Sequence, residues 1–233
     1  MRTLTIGDPA LVAPRQTYSQ WLNATYAPAV HVPLDTSDPT ADLSGNSRSL
    51  DWTGTAPSAG TLFDGGGVTL AGATDSRFNN GSYASWMGTL YTVGCWVKFT
   101  STADIALWSG RPNLTMFACY HDNTNGLRLL LGYTGGVFVT SYGTGGFKIN
   151  DGNLHSVITA WTTSTYAIYV DGVSKASGSL TGGNYSPGAS DPWGFGGGDG
   201  GGRKFVGQIG HGFATTATLT LSDAQAINTR GRA

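Results

Sequence analysis

The sequence predicts an all-β protein, a two-sheet antiparallel sandwich of the jelly-roll kind preceded by a short N-terminal arm. Short segments of alternating apolar and polar residues follow one another at regular spacing, and 36 of the 233 residues are glycine. All 14 acidic residues are Asp, and Lys occurs only four times. Because Glu and Lys are good helix formers, their scarcity disfavours an α-rich fold. A hydrophobic fraction of 39% is sufficient for a sizeable core.

Charge and hydropathy exclude several functional classes. The formal net charge of −1 gives no basic surface for nucleic acid. No apolar stretch approaches the ~20 residues that a bilayer span requires. The first 16 residues contain Asp8, Pro9 and Pro14 and lack the continuous apolar run of a signal peptide. We therefore expect no nucleic-acid partner, no membrane insertion and no export signal.

Residues 1–28 differ from the rest of the chain and form the predicted arm. A short helix is predicted over 17–26, because four large apolar side chains recur there at i, i+3, i+4 and i+8: Tyr18, Trp21, Leu22 and Tyr26. Such a helix either covers the sandwich of its own chain or docks on a neighbouring subunit. We favour docking in a homo-oligomer or on a particle scaffold, because the downstream sandwich looks complete without it.

The clearest core strand is predicted over 91–99, with Trp96 packed inside the protein and one shared face formed by Tyr91, Val93, Cys95, Val97 and Phe99. Cys95 and Cys119 lie in apolar strand-like runs, which favours buried free thiols over the alternative of a disulfide. Further strands are predicted over 104–109, 114–121, 127–133 and 136–142.

A three-stranded unit is predicted over 153–183. Its strands cover 155–161, 166–170 and 173–180, and Asp171-Gly172 is predicted to form the tight turn between the last two. The residues of the third strand are mostly small and polar, as expected for an exposed strand. About a dozen strands with no helical periodicity after residue 30 indicate a sandwich of two antiparallel sheets.

Five ordered motifs resemble the laminin-G-like, concanavalin-A-like jelly-roll family. They are TLFDGGGVTL, YTVGCWVKF, YVDGVSKASGSL, GGGDGGGRKFVGQI and LSDAQAI. The resemblance covers about residues 29–229 and implies one jelly roll of about 12 to 14 strands within 29–233. It also implies a closing turn in which Ser222 or Asp223 caps a helix. Because a strand pattern follows the glycines of 194–202, we expect a flexible loop there instead of a dinucleotide site.

Catalysis is not expected. The glucanase branch of the family uses Glu as acid and nucleophile, whereas this chain has no Glu and no pair of Asp at i, i+2 or i+4 within a predicted strand. The four histidines, His31, His121, His155 and His211, are scattered and are predicted to be solvated or structural.

No cofactor is expected either. Many family members hold calcium, but where the family tends to have F-D-G-x-I-D-E this chain has FVGQIGH over 205–211. Three carboxylates are missing, and calcium affinity falls with the number of charged ligands. We therefore predict no structural calcium. The oxygen-rich loop of Asp122, Asn123 and Asn125 is the alternative location for one, although such a sequence is also typical of a turn.

Sugar recognition would use exposed aromatic rings beside polar groups. The candidates are Trp108, Tyr142 and Trp193 with Asp122 and Asn125 nearby, and packing in the core is the competing role of each ring. We expect one module to bind weakly and many copies to bind through avidity. The resemblance implies a non-enzymatic tailed-bacteriophage virion protein, a minor tail or capsid decoration protein. It would attach through the N-terminal segment and expose the sandwich to host-surface glycan. The alternative is a stand-alone bacterial carbohydrate-binding or adhesion module.

Overall fold

Two antiparallel β-sheets pack face to face. The computed structural model describes residues 16–35, 37–38, 40–72, 77–79, 91–110, 117–133, 136–141, 147–180, 193–197 and 203–233. Over these residues the strands are β1 Val30–Val32, β2 Asp51–Thr53, β3 Ser58–Ala59, β4 Val68–Ala71, β5 Arg77–Asn79, β6 Thr92–Lys98, β7 Ile105–Gly110, β8 Phe117–Asp122, β9 Gly126–Tyr133, β10 Gly136–Ser141, β11 His155–Trp161, β12 Thr165–Val170, β13 Val173–Ser179, β14 Trp193–Phe195 and β15 Val206–Thr215. The predicted all-β jelly roll is confirmed.

The first sheet, sheet A, has the order β13-β12-β11-β6-β15-β4-β3, and β1 also pairs with β15. The second, sheet B, has the order β10-β9-β8-β7-β14-β5-β2. Neighbouring strands in these lists are often distant in sequence, because the chain crosses between the sheets, as a jelly roll requires. Each sheet has one face toward the shared core and one face away from it, called here its outer face.

The predicted three-stranded unit is confirmed, and every strand boundary agrees with the prediction to within one residue. Strand β11 pairs with β12, and β12 pairs with β13, in antiparallel register. Asp171 and Gly172 have φ angles of 53° and 72°, the positive values that a tight hairpin turn needs. Strand β13 lies at the edge of sheet A and is mostly exposed, as its polar sequence predicted.

The shared core contains the predicted face of β6. Val93, Cys95, Val97 and Phe99 are buried in it, and Tyr91 packs against it. The second cysteine, Cys119, enters the same core from β8, and both thiols are free. The prediction of buried free thiols is therefore confirmed, and burial raises the pKa of both.

The predicted N-terminal helix is confirmed as α1, Tyr18–Tyr26, but its expected docking on another subunit is not supported. Thr17 caps it with its side chain and forms a capping box with Gln20. Tyr18 and Leu22 are buried against the outer face of sheet A of their own chain. The premise of that expectation, a sandwich that is complete without the helix, is wrong, because the outer face of sheet A is itself apolar and α1 covers it.

A second helix, α2, spans Leu221–Gly231 and packs on the same face. It is longer than the turn expected there, and its N-cap is Thr220 instead of Ser222 or Asp223. The Thr220 hydroxyl accepts from the backbone N–H of Asp223, and the Asp223 carboxylate accepts from the backbone N–H of Thr220. Asp223 is thus the third helical residue of a capping box, because its carboxylate reaches back to the cap.

The glycine-rich segment is not wholly a loop. Its first residues belong to β14, which pairs with β5 and β7 in sheet B. Trp193 and Phe195 fill the core from this strand. Trp193 and Phe195 alternate with glycine here, so the period-2 pattern of a short strand was present, but the run of glycines that follows favoured a loop.

Candidate functional site

The outer face of sheet A is covered by the chain itself. Trp96 lies at its centre, on the side of β6 opposite to the core. Helices α1 and α2 and the short 3-10 turn Phe63–Gly65 surround it, and Phe63 packs edge-on to the Trp96 ring at 4.8 Å between centroids. This face therefore contributes to stability and offers little open surface to a ligand.

A hydrogen bond and two histidines lie beneath α1. The Trp96 indole N–H donates to the Tyr18 hydroxyl at 3.0 Å, and both groups are buried. His31 Nδ1 lies 2.8 Å from the side-chain oxygen of Asn23 on α1. His211 stacks on Phe63 with ring centroids 4.5 Å apart. The bonds of Tyr18 and Asn23 attach α1 to its own sandwich, and the His211 ring also packs against the Tyr18 ring at 4.9 Å between centroids.

Burial also makes these two histidines poor bases. It lowers the pKa of His31 to about 3, and the neighbouring His211 adds to the effect. Burial likewise lowers the pKa of His211, against hydrogen bonding to the Phe63 carbonyl. Both rings are therefore neutral at pH 7.

The outer face of sheet B carries a row of side chains that cross adjacent strands. Tyr120 on β8 pairs with Ala106 on β7 at one side and with Arg128 on β9 at the other. Core residues flank each of the three in sequence, so all three point away from the core. The carbonyl of Arg203 accepts from the backbone N–H of Ala106 and brings a fourth residue to the row.

Two guanidinium groups share the Tyr120 ring. The central guanidinium carbon lies 4.2 Å from the ring centroid for Arg203 and 5.3 Å for Arg128. Both distances are within the range of cation–π attraction. Tyr120 is only 4% exposed, whereas both arginines are partly exposed. Burial raises the pKa of Tyr120, so its hydroxyl is neutral at pH 7. We call Ala106, Tyr120, Arg128 and Arg203 the arginine row.

The predicted polar candidates lie beside this row. One oxygen of Asp122 accepts from the backbone N–H groups of Thr124 and Asn125, and the Asn125 amide also donates to the carboxylate. Arg128 donates to the other oxygen at 3.2 Å. Burial opposes ionisation of Asp122, but the bonds from Asn125 and Arg128 outweigh it and lower its pKa. Asp122 and Asn125 thus form a self-satisfied turn that fixes Arg128.

Two of the three predicted aromatic candidates, Trp108 and Trp193, are not accessible to a ligand. Trp108 and Trp193 are both fully buried in the shared core, and Trp108 stacks on Trp161 at 6.0 Å between ring centroids. The prediction that both rings lie in or beside loops, available to a sugar, is therefore wrong. Each projects inward because its strand alternates about the sheet plane, and Trp108 follows a bulge in β7 that shifts the register by one residue. Tyr142 lies outside the described residues.

The four histidines are structural. All are buried, so the alternative of solvated histidines is wrong. His155 bridges two carboxylates, with Nδ1 2.7 Å from Asp171 and Nε2 3.0 Å from Asp151. Burial opposes protonation of this ring, but the two carboxylates outweigh it and raise the pKa of His155. Arg232, at the end of α2, also donates to Asp171, so the network ties the helix to β11 and to the turn between β12 and β13.

No cluster of three or more His, Cys, Asp or Glu side chains within reach of one metal ion occurs in the part of the chain that the structure describes. The described helices are also too short and too polar to cross a bilayer.

The sequence patterns did not predict a site at Tyr120, Arg128 and Arg203. The alternation of β8 and β9 placed Tyr120 and Arg128 on the faces opposite Cys119 and Leu129, which was a usable signal. The position of Arg203 had no local signal, because it depends on a hydrogen bond to a strand almost a hundred residues away in sequence.

The two-sheet antiparallel jelly roll with one self-covered outer face defines the class of fold. Within that class the chain belongs to the Concanavalin A-like lectin/glucanases superfamily, because the Laminin_G_3 family model matches residues 64–212, more than half of the chain. None of the curated proteins compared with this chain matches its sequence.

Several solved structures share the fold. Domain 4 of the extracellular arabinanase AbnA from Geobacillus stearothermophilus, in complex with arabinotriose, has a TM-score of 0.69 and 18% identity, covering 86% of this chain and 98% of that one. The CBM40 of the Ruminococcus gnavus IT-sialidase, bound to α2,3-sialyllactose, has a TM-score of 0.58 and 16% identity, covering 70% and 96%. The binding domain of Paraclostridial Mosquitocidal Protein 1 has a TM-score of 0.66 and 15% identity, covering 89% and 52%.

Proposed function

We propose that this chain is a non-enzymatic, lectin-like carbohydrate-binding domain that acts in adhesion. The observation that carries the proposal is the arginine row on the outer face of sheet B. The glycan would bind there, because the outer face of sheet A is occupied by the two helices of the chain itself.

The arginine row has the physical properties of a recognition surface. Guanidinium groups offer several N–H donors in a fixed planar arrangement, which suits the hydroxyl, ring and carboxyl oxygens of sugars. Tyr120 holds Arg203, and Asp122 together with Tyr120 holds Arg128. Side chains that are already restrained lose less conformational entropy when a ligand binds, so less of the interaction free energy is lost.

Structures of the same fold support a sugar ligand. The arabinanase domain is in complex with arabinotriose, and the sialidase CBM40 is bound to α2,3-sialyllactose. The absence of Glu from the whole chain supports a binding role without hydrolysis, because the glucanases of this family use Glu as their acid and nucleophile.

For the biological setting we propose a tailed-bacteriophage particle, with the chain as a minor tail or capsid decoration protein assembled in the host cytoplasm and exposed on the particle. A single shallow site with millimolar affinity has only about 4 kcal/mol of binding free energy. Many copies on one particle, or a homo-oligomer, would raise avidity by about 10²–10⁴. Because Tyr18 and Leu22 are buried on their own chain, attachment to other virion proteins would use other residues of 1–28.

A stand-alone bacterial adhesion module is the alternative setting for the same domain. Mass spectrometry of purified phage particles distinguishes the two settings. The chain should copurify with infectious particles at a fixed copy number if it belongs to the virion. Its absence from every particle, together with its presence on bacterial cells, would favour the stand-alone module.

The glycan proposal is tested with the purified chain displayed in many copies on beads and applied to a glycan array. We expect binding to a subset of glycans, and we expect Arg203→Gln to reduce it. Arg230→Gln is the matched control, because Arg230 lies on α2 at the other sheet. Binding to no glycan, or equal loss with both variants, would contradict the proposal. Incubation with β-glucans should release no reducing sugar above background.

A further inference from the structure

We propose that two copies of this chain exchange their α1 helices, so that each α1 covers the outer face of sheet A on the other copy. The structure has the closed form, in which α1 covers the sheet of its own chain. The inference is carried by the backbone of Ala27, the residue that follows α1, and it does not depend on glycan binding.

Ala27 has a backbone conformation that alanine rarely adopts. Its φ of 41° and ψ of 57° are left-handed, and its N–H donates to the Asn23 carbonyl at the end of the helix. Glycine is the usual residue in this position, because it has no Cβ to clash with the carbonyl that follows. The closed form therefore contains local strain at Ala27, which is exposed.

Pro28 opposes the same conformation. A proline ring restricts the residue before it to extended backbone, with ψ of about 120° to 160°, whereas Ala27 has a ψ of 57°. The chain beyond this hinge of Ala27 and Pro28 is fixed, because the Ala29 N–H donates to the Ala214 carbonyl of β15. A change of Ala27 to extended backbone would therefore relieve the strain and move α1 without moving the sandwich.

An extended hinge does not return α1 to its own sheet. Only residues 27–29 separate α1 from β1. Because β1 belongs to sheet A, α1 lies on that sheet only when the chain turns sharply at Ala27. Short hinges that are strained in the closed form favour the exchange of one element between copies.

A second copy offers the cover that the open form lacks. Without α1, the apolar side chains around Trp96 meet water, as do Tyr18 and Leu22 of the helix itself. The α1 of a second copy restores the same contacts between chains, including the buried hydrogen bond from Trp96 to Tyr18. Because both surfaces are those of the closed form, their complementarity is already present. Reciprocal exchange then gives a closed two-fold dimer.

Cross-linking between copies detects the exchange directly. The Asn23 amide donates to the Leu43 carbonyl, so cysteines at these two positions are neighbours wherever α1 is seated. Asn23→Cys and Leu43→Cys are made in separate chains and mixed at millimolar concentration just below the thermal midpoint. The mixture is then cooled and treated with a short bifunctional maleimide, to which the buried Cys95 and Cys119 are inaccessible. We expect a covalent heterodimer, which two closed monomers cannot give.

A matched mixture controls for random collisions. Asn123→Cys replaces Leu43→Cys in it, because Asn123 is exposed in the turn between β8 and β9 of sheet B. Mixed with Asn23→Cys and treated in the same way, this chain should give no heterodimer above background.

Variants at the hinge shift the balance in opposite directions. A left-handed L-residue costs about fivefold to thirtyfold in population, and Ala27→Gly removes this cost from the closed form. Since the dimer contains two hinges, its dissociation constant should rise by about a hundredfold in this variant. Ala27→Val should lower the constant, because a β-branched side chain disfavours left-handed backbone further. Ala24→Val, at an exposed position within α1, is the control that should leave it unchanged.

Sedimentation from micromolar to millimolar concentration measures these constants, and opposite shifts in the two Ala27 variants support the exchange. If Asn23→Cys and Leu43→Cys give no more heterodimer than the control mixture, α1 is not exchanged and the proposal is wrong. If dimers form but Ala27→Gly dissociates like the unmodified chain, the hinge does not drive the exchange and the proposal is also wrong. This last comparison holds even if circular dichroism shows that Ala27→Val is unfolded.

Discussion

The outer faces of the two sheets have different covers. On sheet A, Trp96 lies under α1 and α2 in a cluster of apolar and aromatic side chains, with the guanidinium carbon of Arg232 5.7 Å from its ring centroid. On sheet B, Tyr120 occupies a comparable central position, but it is covered by two charged side chains from the arginine row. Each face has a large aromatic residue at its middle, and the two faces differ in the side chains that cover this residue.

The comparison shows that a buried aromatic ring does not identify a face as core or as site. A cover made of helices removes apolar area from water and stabilises the fold. A cover made of arginines keeps charge at the surface while the ring fixes its position. We therefore expect substitutions on sheet A to change stability and substitutions on sheet B to change binding.

The largest effect is expected from Leu22→Ala on α1. Leu22 is fully buried between α1 and sheet A, and truncation of such a leucine costs about 2–5 kcal/mol of the free energy of unfolding. Urea denaturation followed by tryptophan fluorescence measures the loss. Thr25→Ala, on the exposed side of the same helix, should change stability little. If the two variants are equally stable, α1 is not held on its own chain and docking on another subunit must be reconsidered.

The second-largest effect is expected from acid, which should lower the stability of the packing on the outer face of sheet A. His31 and His211 have lowered pKa values in the folded protein, so the unfolded chain takes up protons first as pH falls below about 6.5. For each histidine, this preferential protonation of the unfolded chain lowers the free energy of unfolding by up to about 1.4 kcal/mol per pH unit. For His31 the loss continues toward pH 3. Denaturation midpoints between pH 6.5 and 4.5 measure the slope, and His31→Asn should reduce it.

His155 provides the control for that pH dependence. Its pKa is raised by Asp171 and Asp151, so its contribution is fully present below pH 6.5 and is lost as pH rises through its folded pKa. His155→Asn should therefore leave the slope between pH 6.5 and 4.5 unchanged. Asp151, whose pKa is lowered to about 2 by Asn153 and His155, loses its contribution only at lower pH. Equal slopes in the His31 and His155 variants would contradict this assignment.

Removal of one hydroxyl on the sheet A face should have a smaller effect. Tyr18→Phe leaves the buried Trp96 indole N–H without its partner, which costs about 1–3 kcal/mol. The matched change is Tyr26→Phe, since the Tyr26 hydroxyl makes a long 3.4 Å bond to the Asp223 carbonyl and is less buried. If the Tyr18 variant is as stable as the Tyr26 variant, the hydrogen bond between Trp96 and Tyr18 makes no net contribution to the free energy of unfolding.

The smallest effect on stability is expected on the other face. Arg203→Gln removes one cation–π contact at a partly exposed site, worth about 0.5–1 kcal/mol. Its thermal midpoint should stay close to that of the unmodified chain while its glycan binding falls. If Arg203→Gln unfolds the domain as Leu22→Ala is expected to, the proposed division of labour between the two faces is wrong.

The sequence determined the strands, the principal turn and one side of the core. Period-2 alternation in 91–99 placed Val93, Cys95 and Val97 together, and the Asp171-Gly172 pair specified the hairpin. These properties depend on backbone geometry over a few residues, so they can be predicted locally. The amphipathic helix over 17–26 was predictable for the same reason.

Only the tertiary structure decided what each face does. Alternation shows that Tyr120 lies on the side of β8 opposite to Cys119, but not which side meets the other sheet, and the bulge in β7 changes the register of Trp108. Leu22 packs on sheet A, and Arg203 packs on Tyr120. Both contacts depend on chain segments that are far away in sequence. Burial and cation–π contact arise from three-dimensional proximity, and these long-range partners leave no periodic signal in the chain.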